Sequence, residues 1–194
     1  MRRSLTRVGR VGLALTLALV GCGGGGGGGG SAPIPCTNLS FARAIAAPGP
    51  GDVYLDGGAA TCSTLDVNVL VANLTGIWTV GFDLTYAAPL LRYDSFVKGP
   101  LLLKGSPANA PAFFVTNPTA GHLQVFMTRF APDPTVEAKG SEVLITLHFA
   151  KVATGAAPLD FDLAGGIAEQ ILDDTTALRP ASFGPGHGGV ATVP

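Results

Sequence analysis

The 194-residue sequence predicts an all-β fold, a sandwich or a barrel, and three observations predict it. Apolar and polar residues alternate with a period of two in several separate runs. Turn signals rich in glycine and proline stand between the runs: Asn73-Leu74-Thr75-Gly76, Ala88-Pro89, Asn117-Pro118, Asp133-Pro134 and Gly184-Pro185-Gly186. The chain from residue 22 onward is long enough for one domain with a full core, and it shows no further long apolar segment and no clear repeat.

In chain order, Val53-Tyr54-Leu55 is a short first strand, and Gly57-Gly58 should break it. Leu65, Val67, Val69 and Val71 then alternate with Asp66, Asn68 and Leu70, the mark of a half-buried strand. Trp78, Val80, Phe82, Leu84 and Tyr86 repeat the pattern, with Thr79, Gly81, Asp83 and Thr85 between them. Weaker strands are expected near Leu91–Val97 and Phe113–Val115. Leu123, Val125 and Met127 form the next apolar face. Val143, Ile145, Leu147 and Phe149 form another, opposite Leu144, Thr146 and His148. Pro158–Phe161, Thr175–Leu178 and Gly189–Val193 complete the set. Ile167–Leu172 is either a helical turn or an irregular connection.

The amino-terminal segment has a different character. Arg2, Arg3, Arg7 and Arg10 precede an apolar run, Val11 to Val20, broken only by Gly12 and Thr16. A membrane-crossing helix needs roughly 20 apolar residues, and this run has about half that number, the length of a signal-peptide core. The run ends in Leu19-Val20-Gly21-Cys22, which resembles the lipobox of a bacterial lipoprotein signal peptide. The resemblance implies cleavage after residue 21 and acylation of Cys22, which would fix the chain to a membrane. Gly23 follows the cysteine where an Asp would signal retention in the inner membrane, so the expected address is the outer membrane, facing the periplasm or the exterior. In a Gram-positive cell it would be the outer face of the single membrane. Gly23 to Gly30 is an unbroken glycine run, a coil with an r.m.s. span of roughly 15 Å. Three parts follow: signal peptide 1–21, lipidated cysteine and Gly/Pro-rich tether 22–49, and sandwich 50–194.

The whole chain carries 12 basic and 13 acidic residues; without the four arginines of the signal segment the basic count is 8 and the net charge −5. That balance argues against nucleic acid and against a polybasic membrane patch. Cys36 and Cys62 are the remaining cysteines. An exported chain can join them in one disulfide, whose loop closure would contribute about 3 kcal/mol, or leave two separate buried thiols.

The order of segments resembles a cohesin domain. A "V-x-V" strand stands as Leu65-Asp66-Val67-Asn68-Val69. The longer cohesin signature stands as Gly76-Ile77-Trp78-Thr79-Val80-Gly81-Phe82-Asp83-Leu84-Thr85-Tyr86-Ala87-Ala88-Pro89-Leu90-Leu91. Gly121-His122-Leu123-Gln124-Val125-Phe126-Met127, Gly140 to Val152, Pro158-Leu159-Asp160-Phe161 and Gly188 to Val193 are similar to later cohesin strands. The resemblance covers about residues 50–194 and implies a nine-stranded antiparallel jelly-roll β-sandwich. It also implies a binding module without catalysis. Cohesins grip dockerin modules through one sheet face, and they share their fold with carbohydrate-binding modules.

On that face the alternation assigns Thr79, Gly81, Asp83 and Thr85 outward from one strand, and His122, Gln124, Phe126 and Thr128 outward from another. The candidate partner-binding face is therefore Thr79, Asp83, Thr85, His122, Gln124, Phe126 and Thr128. Gly81 departs from the polar residues that dockerin-binding cohesins carry there. Phe126 is either an exposed anchor or covered by residues 101–115.

Catalytic chemistry is absent from the motifs: no GxSxG, HExxH, phosphate loop or EF-hand spacing occurs. His122, His148 and His187 are far apart in sequence. Asp160, Asp162, Asp173 and Asp174 are either solvated loop carboxylates or a calcium cluster, and the simpler reading is preferred. No catalytic residue, metal or cofactor is assigned. The expected partner is an exported, dockerin-like protein. The alternatives are a polysaccharide, which would need a row of exposed aromatics that Trp78, Tyr54, Tyr86 and Tyr93 do not form, or self-assembly of an envelope lipoprotein.

Overall fold

A computed structural model describes residues 35–194 except 106, 168 and 185. Cys22, the signal segment and the glycine run therefore lie outside the described residues.

Among those residues eleven strands run in chain order: β1 (Ser40–Arg43), β2 (Val53–Ala60), β3 (Thr64–Ile77), β4 (Thr79–Tyr86), β5 (Leu91–Lys98), β6 (Ala112–Thr119), β7 (His122–Thr128), β8 (Val136–Lys151), β9 (Gly155–Phe161), β10 (Gln170–Leu172) and β11 (Gly189–Val193). A 3₁₀ turn at Leu101–Leu103 interrupts the β structure. One sheet has the order β1-β11-β9-β4-β7-β6, with β10 also paired to β4. The other has the order β2-β3-β8-β5. All pairings within the two sheets are antiparallel. Nine of the ten expected segments are strands, β2 to β9 and β11, so the described residues hold eleven strands rather than the nine that the resemblance implies. The two additional ones are β1, ahead of the expected domain boundary, and β10, which continues along β4 where β9 stops.

The core lies between the sheets, where the period-two faces meet. Val67, Val69, Val71, Leu147 and Phe149 meet Val80, Phe82, Leu84, Leu123, Val125 and Met127, all buried. Each such side chain contributes about 1.5–3 kcal/mol through removal from water. Phe161 meets Phe82 edge-on at 5.5 Å and Phe183 at 5.4 Å, while Tyr86 crosses to Phe149 at 5.3 Å. Buried Arg129 donates from Nη1 to the carbonyls of Leu102 and Lys104, which ties the end of β7 to the 3₁₀ turn.

Several local expectations need correction. The sandwich does not begin at residue 50: Leu39 is buried and β1 pairs with β11 from Ser40↔Thr192 to Arg43↔Gly189. Cys36 and Cys62 form a disulfide just ahead of this strand, with Cα atoms 5.7 Å apart. Gly57-Gly58 does not end β2; pairing with β3 continues to Ala60 through an irregular register. These glycines instead allow close approach, since a Cβ on Gly58 would stand 2.9 Å from the Asp66 side chain.

The expected turn at residues 73–76 lies inside β3. Asn73 (φ 42°) and Gly76 (φ 75°) take left-handed conformations, and register shifts against β8 absorb them. Asn117-Pro118 likewise lies within β6, an edge strand that tolerates proline, and the turn comes at Ala120-Gly121. In β8 a register shift opposite Val69/Leu70 buries Leu144 and leaves Val143 only half-buried, reversing their expected sides. Trp78 precedes β4 and is half-buried rather than in the core.

Among the described residues of Ile167–Leu172 there is no helical turn, and the segment ends in strand β10. Thr175–Leu178 is a turn rather than a strand. There the Asp173 Oδ1 accepts the N–H groups of Thr175 and Ala177, both at 2.9 Å, and a single bridge joins Leu172 to Leu178.

Candidate binding face

The side of β9/β10-β4-β7-β6 turned away from the core carries the candidate residues. Alternation in β7 is as the sequence indicates: Leu123, Val125 and Met127 are buried, and His122, Gln124, Phe126 and Thr128 are half-buried on the other side.

The outward side of β4 is different. Thr85 is exposed, but Thr79 is 8 % exposed and Asp83 is wholly buried. Thr79 stands opposite Thr128, and their hydroxyls are 2.8 Å apart. Thr85 donates to the Asp160 carbonyl at 3.3 Å, part of its contact with β9. Asp83 is buried by the chain between β9 and β10. The Asp162 N–H donates to the Asp83 carbonyl at 3.0 Å, the chain then passes over the sheet, and the Ile167 N–H donates to Asp83 Oδ2 at 2.6 Å. Gly165 lies against the Asp83 carboxylate, and Gly166 against the amide of Gln124. This strap, residues 162–167, removes Asp83 from the open surface.

Beyond the strap the face is open and aromatic. Phe126 stands directly opposite Phe114 of β6, with ring centroids 6.5 Å apart and planes inclined by 36°. Phe114 is 58 % exposed. On its other side Phe126 stands opposite Gly81, which offers no side chain to cover the ring. Of the described residues in 101–115, Phe114 is the one that stands directly beside Phe126, and it is exposed. The face thus has two parts, a strapped polar part around Asp83, His122 and Gln124, and an open part around Phe114, Phe126 and Thr128.

The three histidines are separate. His148 Nδ1 lies 2.6 Å from Asp66 Oδ1 on the opposite sheet, His187 Nδ1 lies 3.0 Å from the Ser182 carbonyl, and His122 belongs to the face. Among the described residues no group of three or more His, Cys, Asp or Glu side chains is arranged to hold a metal ion. The Thr175 hydroxyl and the Ala177 and Thr175 N–H groups, with Arg179 nearby, hold the Asp173 carboxyl below its ordinary range against an opposing effect of desolvation.

Phe114 and the strap were not assigned from sequence. The alternation of β6 contains the signal for Phe114, because Phe113 and Val115 are the half-buried residues on either side of it. The strap has no such signal in local periodicity.

Solved structures share this architecture. The sixth cohesin of scaffoldin B from Acetivibrio cellulolyticus, solved with a dockerin, aligns with a TM-score of 0.51 at 21 % identity, over 76 % of this chain and 94 % of that one. The fold is that of the cohesin modules. A type II cohesin–X-dockerin complex from Acetivibrio cellulolyticus aligns with a TM-score of 0.51 at 11 % identity, over 68 % of this chain and 93 % of its own. The cohesin CaCohA2 from Clostridium acetobutylicum gives 0.50 at 17 % identity, over 78 % and 88 %. No family model matches the sequence, and no curated protein does.

Proposed function

We propose that this chain is a protein-binding module that holds an exported, dockerin-like partner at the cell envelope. The observation that carries the reading is exposed Phe114 beside half-buried Phe126 in the open part of a cohesin-fold sheet face. Large aromatics at the centre of a contact typically supply most of its binding free energy. Thr128, two residues along β7 from Phe126, is a polar group on the same outward side, while Thr85 stands opposite His122 at the far end of β4. The two rings are tilted by 36°, which suits an apolar side chain from a protein better than the flat row of rings a polysaccharide needs.

The envelope address rests on Leu19-Val20-Gly21-Cys22. Acylation of Cys22 and the following glycine run would leave the sandwich free to turn at the membrane surface. Fatty-acid labelling that is lost in Cys22→Ser tests this part. For the binding part, the full chain is used to capture proteins exported by its own cell, beside the Phe114→Ala/Phe126→Ala double variant. A partner retained by the unsubstituted chain and lost by the double variant supports the reading. Binding only to polysaccharide, or only to a second copy of the chain, overturns it.

A further inference from the structure

We propose that His122 is a pH-sensitive latch that holds the 162–167 strap over the outer face of β4. His122 Nε2 lies 3.5 Å from Asp83 Oδ1 and 3.8 Å from Asp162 Oδ2. Asp83 belongs to the sheet and Asp162 to the strap, so the two carboxylates approach one ring nitrogen from either side of the joint. Asp83 is wholly buried, and neither its Oδ1 nor His122 Nε2 has a hydrogen-bond partner. Two buried polar atoms left unpaired and facing each other are costly unless a charge joins them.

The charged groups of the neighbouring elements are few. β6, the other neighbour of β7, has no titratable residue between Ala112 and Thr119. On β9, the Asp160 Oδ1 accepts the Phe161 N–H at 2.9 Å. Glu169, near the start of β10, has a buried Oε1 without a hydrogen-bond partner and is not among the ion-pair partners of the ring. Among the described residues, Asp83 and Asp162 are the two carboxylates within ion-pair reach of His122.

Imidazole changes charge between about pH 5 and 8. With the ring charged, Nε2 carries a proton within ion-pair reach of two carboxylates in a partly water-excluded site, and a charge-assisted contact joins strap to sheet. Once the ring is neutral it keeps a single N–H, and even with that proton on Nε2 the contact to the two carboxylates has lost its charge. The latch is therefore closed while the ring carries its charge and loosened when that charge is lost. Loosening would uncover Asp83 and Gln124 beside the Phe114–Phe126 pair. That consequence rests on the reading of this face as a binding surface; the latch itself does not.

The test is hydrogen exchange of the Ile167 amide, whose acceptor is Asp83 Oδ2. It is measured in the full chain and expressed as a protection factor, so that the intrinsic pH dependence of exchange is removed. Between about pH 5.5 and 8, protection is expected to fall about tenfold, equivalent to about 1.4 kcal/mol. The Leu147 amide, central in β8, should hold its protection. In His122→Gln, Ile167 should be poorly protected at both pH values. Protection in the unsubstituted chain that does not change with pH, or a step that survives His122→Gln, overturns the latch. Should that variant not fold, the ring nitrogens of His122 in the unsubstituted chain supply a second measurement. Their titration must share its midpoint with the Ile167 protection step, and separate midpoints overturn the proposal. No partner is present in either measurement, so the latch and the binding reading fail independently.

Discussion

Asp83 Oδ2 accepts the Ile167 N–H at 2.6 Å, joining residues 84 apart in the chain. This bond turns an outward-facing strand residue into the anchor of a strap. β9 and β10 pair with the two ends of β4, and the chain between them leaves the sheet edge to cross its outer side. One carboxylate thereby fixes which part of the face is open.

The strap depends on glycine at residue 165. A Cβ there would stand 2.1 Å from Asp83 Oδ2, closer than real atoms approach. Gly165→Ala should displace the strap, leave Asp83 Oδ2 without its donor and cost about 1–3 kcal/mol in urea unfolding. Gly166→Ala should cost much less, because its Cβ would meet only the flexible end of Gln124, at 2.8 Å. Equal losses for the two variants would contradict this account.

Phe114 tests the division between stability and binding. Its ring is 58 % exposed, so Phe114→Ala should change folding stability by no more than about 0.5 kcal/mol. Removal of a central aromatic anchor should weaken partner affinity by about 2 kcal/mol, roughly thirtyfold. Calorimetric titration of the captured partner against both chains gives the affinity, and urea unfolding gives the stability. A large stability loss would instead make Phe114 part of the fold.

The parts legible in the sequence are those governed by period two. The inward residues of β3, β4 and β7 were readable because every second residue is apolar, and β7 follows its pattern without interruption. The pattern misled where a register shift intervenes: Leu144 and Val143 exchange sides at a bulge that neighbouring strands impose. β1 was hidden because Ser40–Arg43 is too short to show alternation and follows a proline- and glycine-rich stretch. At the site, the outward residues of β7 were legible. The burial of Asp83 was not, because the segment that covers it lies far along the chain and contributes backbone and glycine rather than a patterned side chain.

The Cys36–Cys62 bridge closes a loop of 26 residues ahead of and through β2. Constraint of the unfolded chain by a loop of that size is worth about 3 kcal/mol. Cys62→Ser should lower the free energy of urea unfolding by about that amount under oxidising conditions. Adding reductant to the unsubstituted chain should reproduce the loss, and adding it to the variant should change nothing.

Glu142 gives the pH dependence a definite sign. Burial pushes its carboxyl upward, but Lys104 Nζ donates to Oε1 at 2.6 Å and the Lys139 N–H donates at 2.9 Å. With the charges of both lysines added, the carboxyl lies below its ordinary 4.5. A group lowered in the folded state stabilises the fold fully above its unfolded value. That contribution declines as pH falls from about 4.5 through the lower folded value. Glu142→Gln removes the charge at every pH, so the variant should be less stable than the unsubstituted chain at pH 7. The gap should narrow toward about pH 3, as acid progressively neutralises Glu142 itself. Urea midpoints of the two chains at both pH values measure it. A gap that stays constant or widens toward acid would show that Lys104 and Lys139 do not hold the carboxylate as the geometry requires.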